Sequence, residues 1–74
     1  MKTAKEITKD FSMAYKRQMK RNALWPSDVH RILKISYALL NSYRCGTGFP
    51  RKETMYALAE LFDCSIDELY GRKL

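Results

Sequence analysis

The chain has 74 residues, which fit one domain at most; a chain this short buries only about 60 % of its unfolded surface, so a separate cofactor domain is excluded. Apolar residues at 46 % against 30 % charged, with three Gly and two Pro, point to a folded helical globule and exclude a disordered or fibrous chain. Fourteen Lys and Arg against eight Asp and Glu give +6, unevenly placed: residues 1–52 hold 12 basic and 3 acidic (+9), residues 53–74 hold 2 basic and 5 acidic (−3). Such a basic excess suits a polyanionic partner, because each neutralised phosphate releases counterions, and it equally suits a solvated helical face.

Thr3-Ala4-Lys5-Glu6 has the form of a capping box opening a first helix that runs to about Asn22. Ile7, Phe11, Ala14, Tyr15 and Met19 recur at three and four residues and define its inner face. Lys9, Lys16, Arg17, Lys20 and Arg21 fall mostly elsewhere, leaving a basic stripe in water. Trp25-Pro26-Ser27-Asp28 starts a second helix, over about 26–33, since Pro is favoured at the first helical position and Asp suits the positive end of the helix dipole. Val29, Ile32 and Leu33 supply its apolar face. Ahead of a helix start, Trp25 reads as a core plug or hydrophobic staple, with aromatic recognition as the alternative.

Ser36 caps a third helix, about 36–45, with Leu40 and Tyr43 spaced for the core and Gly46 ending it ahead of the Gly46-Thr47-Gly48-Phe49-Pro50 loop. A fourth helix over about 52–62 buries Met55, Leu58, Ala59 and Phe62. Ser65-Ile66-Asp67-Glu68 is a second capping box, opening a last short helix with Ile66 and Leu69. The expectation is all-α: a single five-helix domain over residues 1–74 with no strands, repeats or linker.

The chemistry-bearing residues are few. Cys45 and Cys64 make no C-x-x-C, and with His30 the single histidine no spacing assembles a zinc site, so no metal or cofactor is expected and both thiols are expected to be reduced. His30 has no nucleophile or carboxylate partner and reads as a packed or hydrogen-bonded side chain. Without a Gly-rich phosphate loop or paired ligands, nothing points to an enzyme. The longest apolar run, residues 55–59, is far short of the roughly 20 a membrane span requires. The N-terminus lacks a signal-peptide core, so a cytoplasmic protein is expected.

The order Val29 to Leu33, Ile35-Ser36, Leu40, Tyr43 and Gly46, then Pro50, Leu58-Ala59, Ser65 and Asp67-Glu68-Leu69 resembles the phage repressor and Cro-type helix-turn-helix family. The resemblance covers about residues 11–71 and is most faithful over 50–69; being a pattern of core and turn residues, it bears on a lambda-repressor-like fold more than on function. It implies that the second and third helices form a bihelical unit, the third lying in the DNA major groove. Carried over by position, the base-facing set is Tyr37, Ala38, Asn41 and Ser42, with Arg44, Arg51 and Lys52 on phosphates.

Three positions depart from the family pattern. Pro26 stands where a phosphate-contacting Gln is frequent; Lys34 holds the turn position commonly given to Gly and must adopt a left-handed conformation at about 1 kcal/mol or more; His30 replaces a small Ala. Ala38 and Leu39 also stand where DNA-binding members present polar side chains. Leu39 can touch a thymine methyl, pack against the Trp25 side or the loop, or join Tyr37 and Ala38 in an exposed protein-binding patch. The resemblance therefore implies a small phage or bacterial transcriptional regulator that binds double-stranded DNA, with homodimerisation common in the family. The alternative is an antirepressor or modulator of the same fold that grips a partner repressor protein.

Overall fold

A computed structural model describes residues 3–71, among which there are five α-helices and no strand: α1 (Ala4–Arg21), α2 (Pro26–Leu33), α3 (Tyr37–Cys45), α4 (Lys52–Phe62) and α5 (Ile66–Leu69). The all-helical expectation holds, element by element, while Met1, Lys2 and the terminal Arg72, Lys73 and Leu74 lie outside the described residues. A radius of gyration of 11.2 Å matches the roughly 11 Å of a compact folded chain of this length.

Local chemistry sets the helix ends. Thr3 Oγ1 accepts the Glu6 N–H at 3.2 Å, and Ser36 Oγ accepts the Leu39 N–H at 3.2 Å. The second capping box is complete: Ser65 Oγ accepts from Glu68 N–H at 3.2 Å, and the Glu68 carboxylate accepts from Ser65 N–H at 2.9 Å. At α2 the Asp28 carboxylate accepts the Trp25 N–H at 2.8 Å and Pro26 holds the first helical position. Left-handed residues follow the helix ends, glycines after α3 (Gly46) and α5 (Gly71) but non-glycines after α1, α2 and α4: Ala23 (φ 52°), Lys34 (φ 57°) and Asp63 (φ 53°). Lys34 thus adopts the conformation that its turn position demands.

The core is aromatic at its centre. Phe11 is fully buried, with its ring centroid 5.6 Å from Tyr43, 6.0 Å from Tyr15 and 5.4 Å from Phe49. Tyr15 lies 6.1 Å from Phe62 of α4, and Val29, Leu40, Met55, Leu58 and Leu69 complete a cluster drawn from all five helices. Ser12 and Gln18 of α1 are buried as well; the Ser12 hydroxyl donates to the Arg44 carbonyl at the end of α3.

Three apolar expectations need correction. Trp25 is 73 % exposed and is neither plug nor staple, because it occupies the N-cap itself; the staple positions one residue before the cap and four after it belong to Leu24, partly buried against the core cluster, and Val29, within it. Ile32 is 47 % exposed, since eight-residue α2 lies at the periphery with only Val29 fully beneath it, and Ile7 at the outer end of α1 is exposed as well.

The left-handed turn residue generates a first prediction. Lys34→Gly removes the Cβ clash and is expected to stabilise the fold by about 0.5–1 kcal/mol, whereas Lys34→Val costs about 1 kcal/mol or more; urea midpoints of the two variants check the order. A second concerns Tyr15, whose hydroxyl is buried without a hydrogen-bond partner among the described residues. Burial, then the neighbouring Tyr43, raises its pKa above 10.0, against a lowering by Arg44. The unfolded phenol therefore ionises first, so this contribution is intact below pH 10 and is lost as pH climbs through the higher folded value. Tyr15→Phe is expected to be at least as stable as wild type at pH 7 and to lose less stability above pH 10, measured by urea melts across that range.

Candidate nucleic-acid interface

The link from α2 to α3 is three residues, Lys34 to Ser36, and it is braced from both sides. Ile35 is buried, and its carbonyl accepts from His30 Nδ1–H at 2.8 Å, which fixes the imidazole tautomer because a carbonyl can only accept. The same ring stacks on Tyr37 at a centroid distance of 4.1 Å and 18° between planes. His30 is thus a hydrogen-bonded bracing residue, as its lack of catalytic partners suggested, and it orients the first side chain of α3.

From that start the outer side of α3 is laid out by its buried side. Leu40 and Tyr43 are in the core, so Ala38 and Asn41 share the opposite face and Tyr37 stands beside them, 53 % exposed. Asn41 Oδ1 accepts from Arg44 Nη2 at 2.7 Å, leaving the Asn41 amide donors turned to solvent. Leu39 is 51 % exposed and takes no part in the core cluster. Ser42, in contrast, is half-buried: its hydroxyl donates to the Leu39 carbonyl at 2.6 Å and lies beneath Gly48 of the following loop. The structure therefore brings Tyr37, Ala38 and Asn41 together and turns Ser42 toward the loop.

Of the three basic positions, Arg44 is exposed at the end of α3, and Arg51 and Lys52 are exposed at the start of α4. Two further cations belong to this surface. Lys16 and Lys20 of α1 border a cleft of about 480 Å³ that also touches Tyr37, Asn41 and Arg44. The sequence marks both as part of a basic stripe; only the packing of α1 against α3 shows that this stripe runs alongside the third helix. Among the described residues no group of His, Cys, Asp and Glu is placed to hold a metal ion, and Cys45 and Cys64 are free thiols. No described helix is long and apolar enough to cross a membrane.

Comparison of the chain with protein-family models, with characterised proteins and with solved structures finds no match in any of the three.

The contact beneath the loop is testable. A Cβ at position 48 would sit 2.5 Å from Ser42 Oγ and 3.0 Å from Ser42 Cβ. Gly48→Ala is expected to destabilise by about 1–3 kcal/mol, and adding Ser42→Ala to recover a measurable part of that loss; a double-mutant cycle from chemical melts reads the coupling.

Proposed function

We propose that the chain is a DNA-binding transcriptional regulator of the phage or bacterial type, acting in the cytoplasm, with α2 and α3 as a helix-turn-helix. The observation that carries this reading is the exposed side of α3: Tyr37, Ala38 and Asn41 project from a helix capped at one end and tied to α1 at the other, with Lys16, Lys20 and Arg44 alongside. Asn41 carries an amide donor and a carbonyl acceptor that match the N7 acceptor and N6–H donor of adenine in the major groove, and Tyr37 adds a hydroxyl and an apolar edge. Ser42 contributes less, its hydroxyl being engaged within the helix.

The placement of Arg51 and Lys52 supports phosphate contacts. Cations at a helix N-terminus face the positive end of its dipole and cost stability there, so a pair at the start of α4 is unfavourable for the isolated fold. Helix dipole and side chains together concentrate positive potential where a phosphate would be held. Two such domains on one duplex would meet a palindromic site, in keeping with a homodimer.

A second reading is favoured by one observation, the apolar surface near the same helix: Trp25, Ile32, Tyr37 and Leu39 are each about half exposed or more. In that reading α3 grips a partner repressor instead of, or as well as, DNA. Leu39→Asp would then abolish the protein complex with the melting temperature unchanged.

Selection of bound duplexes from a random library, followed by fluorescence anisotropy at two salt concentrations, tests the DNA reading. The expected outcome is an enriched motif bound roughly 10³-fold or more above scrambled DNA. Asn41→Ala should cost about 1–3 kcal/mol on that motif and relax its specificity, while Lys52→Ala weakens all sequences alike and lowers the salt slope by about one. No enriched motif, with Asn41→Ala indistinguishable from wild type, overturns it.

A further inference from the structure

We infer that the groove between α2 and α4 is a self-complementary docking face that takes a second copy of this chain across a two-fold axis. Ile32, Leu33, Ala57, Glu60 and Leu61 line it, and its volume is about 220 Å³. That lies below the roughly 300–1,000 Å³ of small-molecule sites and suits an inserted aliphatic side chain. Leu33 and Leu61 are partly buried against the core and form the floor, while Ile32 stands 47 % exposed on one wall. Trp25, two helical turns before Ile32 on the same side of α2, extends the apolar strip.

The charges bordering the strip say what covers it. Arg31 and Lys34 are exposed on the α2 side, Glu53 and Glu60 on the α4 side. Among the described residues Lys34, Glu53 and Glu60 have no ion-pair partner. Arg31 meets only Asp28, at 3.3 Å, in an exposed pair one turn apart of the kind that holds a side chain weakly. The Asp28 carboxylate is committed as well to the Trp25 N–H. An apolar strip with base along one edge and acid along the other is complementary to itself, because a two-fold axis lying along the strip sets α2 of each copy against α4 of the other. Ile32 then enters the second copy's groove, with Arg31 opposite the partner's Glu60.

A standard interface takes about 800 Å² from each partner. Helices of 8 and 11 residues, about 12 and 16 Å long, present less than that, so the pair is weak and forms at high concentration. Two copies related in this way are what a palindromic duplex calls for, but the face rests on its own residues and is tested without DNA. A chain that dimerises through it and selects no DNA motif refutes the proposed function and leaves the face intact.

The experiment is sedimentation equilibrium of the full chain from about 5 µM to about 1 mM. The expected result is an average mass that climbs toward twice the monomer's, fitted by monomer and dimer alone. Each contact of a two-fold interface occurs twice, so Ile32→Ser, Arg31→Glu and Glu60→Arg should each weaken the dimer about tenfold or more. Arg31→Glu combined with Glu60→Arg rebuilds the opposite-charge pair with its signs exchanged and should return dimerisation to within about threefold of wild type. Circular dichroism melts confirm that the variants, all at exposed positions, are folded. A monomer at every concentration, a dimer indifferent to Ile32→Ser, or a double variant no better than its single parents overturns the assignment.

Discussion

The packing of α1 against α3 through the Phe11 ring is the constraint on which the rest of the molecule depends. Phe11 meets Tyr15 on its own helix, Tyr43 on α3 and Phe49 in the loop beyond, so one side chain fixes two helices and a connection. The Ser12 hydroxyl, bonded to the Arg44 carbonyl, locks the same pair one residue further on, at the C-terminal end of α3. Once the inner side of α3 is committed, helical geometry dictates which residues it turns outward. The outward side of α3 is thus a by-product of core packing on the opposite side of the same helix.

That arrangement also explains why charge and chemistry gather where they do. The 18-residue α1 is the longest element and its inner face is filled by aromatic groups, so its lysines are carried to the margin of α3. Phe11 and Tyr15 thereby serve two ends, holding the core and positioning Lys16 and Lys20. The Tyr15 hydroxyl, without a hydrogen-bond partner among the described residues, shows tension between those ends, since phenylalanine would pack in the same space with no polar atom to bury.

Most of the fold was legible in the sequence because its signals are local. Thr3, Pro26, Ser36, Gly46 and Ser65 each mark a helix end through a bond or dihedral made within a few residues, so the helix boundaries follow from chemistry. Exposure of Trp25 and Ile32 was not legible, because periodicity shows which face is apolar and not whether another element covers it. The shift of one residue between the staple position and the N-cap was enough to send Trp25 outward and Leu24 inward. At the candidate site the sequence marked Tyr37, Asn41 and Arg44 but not the engaged hydroxyl of Ser42, which depends on the path of the loop over it. The cleft was invisible for a like reason: its walls come from three successive elements, and only their packing against one another creates it.

The non-glycine residues that close α1, α2 and α4 bear on how long a molecule of this protein lasts in a cell. Each of Ala23, Lys34 and Asp63 holds a left-handed backbone that an L side chain resists by about 1 kcal/mol, and a domain this small rarely has more than about 3–5 kcal/mol to spare. Every kcal/mol removed from that margin raises the population open to proteases about fivefold. Three strained helix ends thus set a faster turnover than the same fold closed by glycines would have, and place the lifetime of the chain under the control of its backbone.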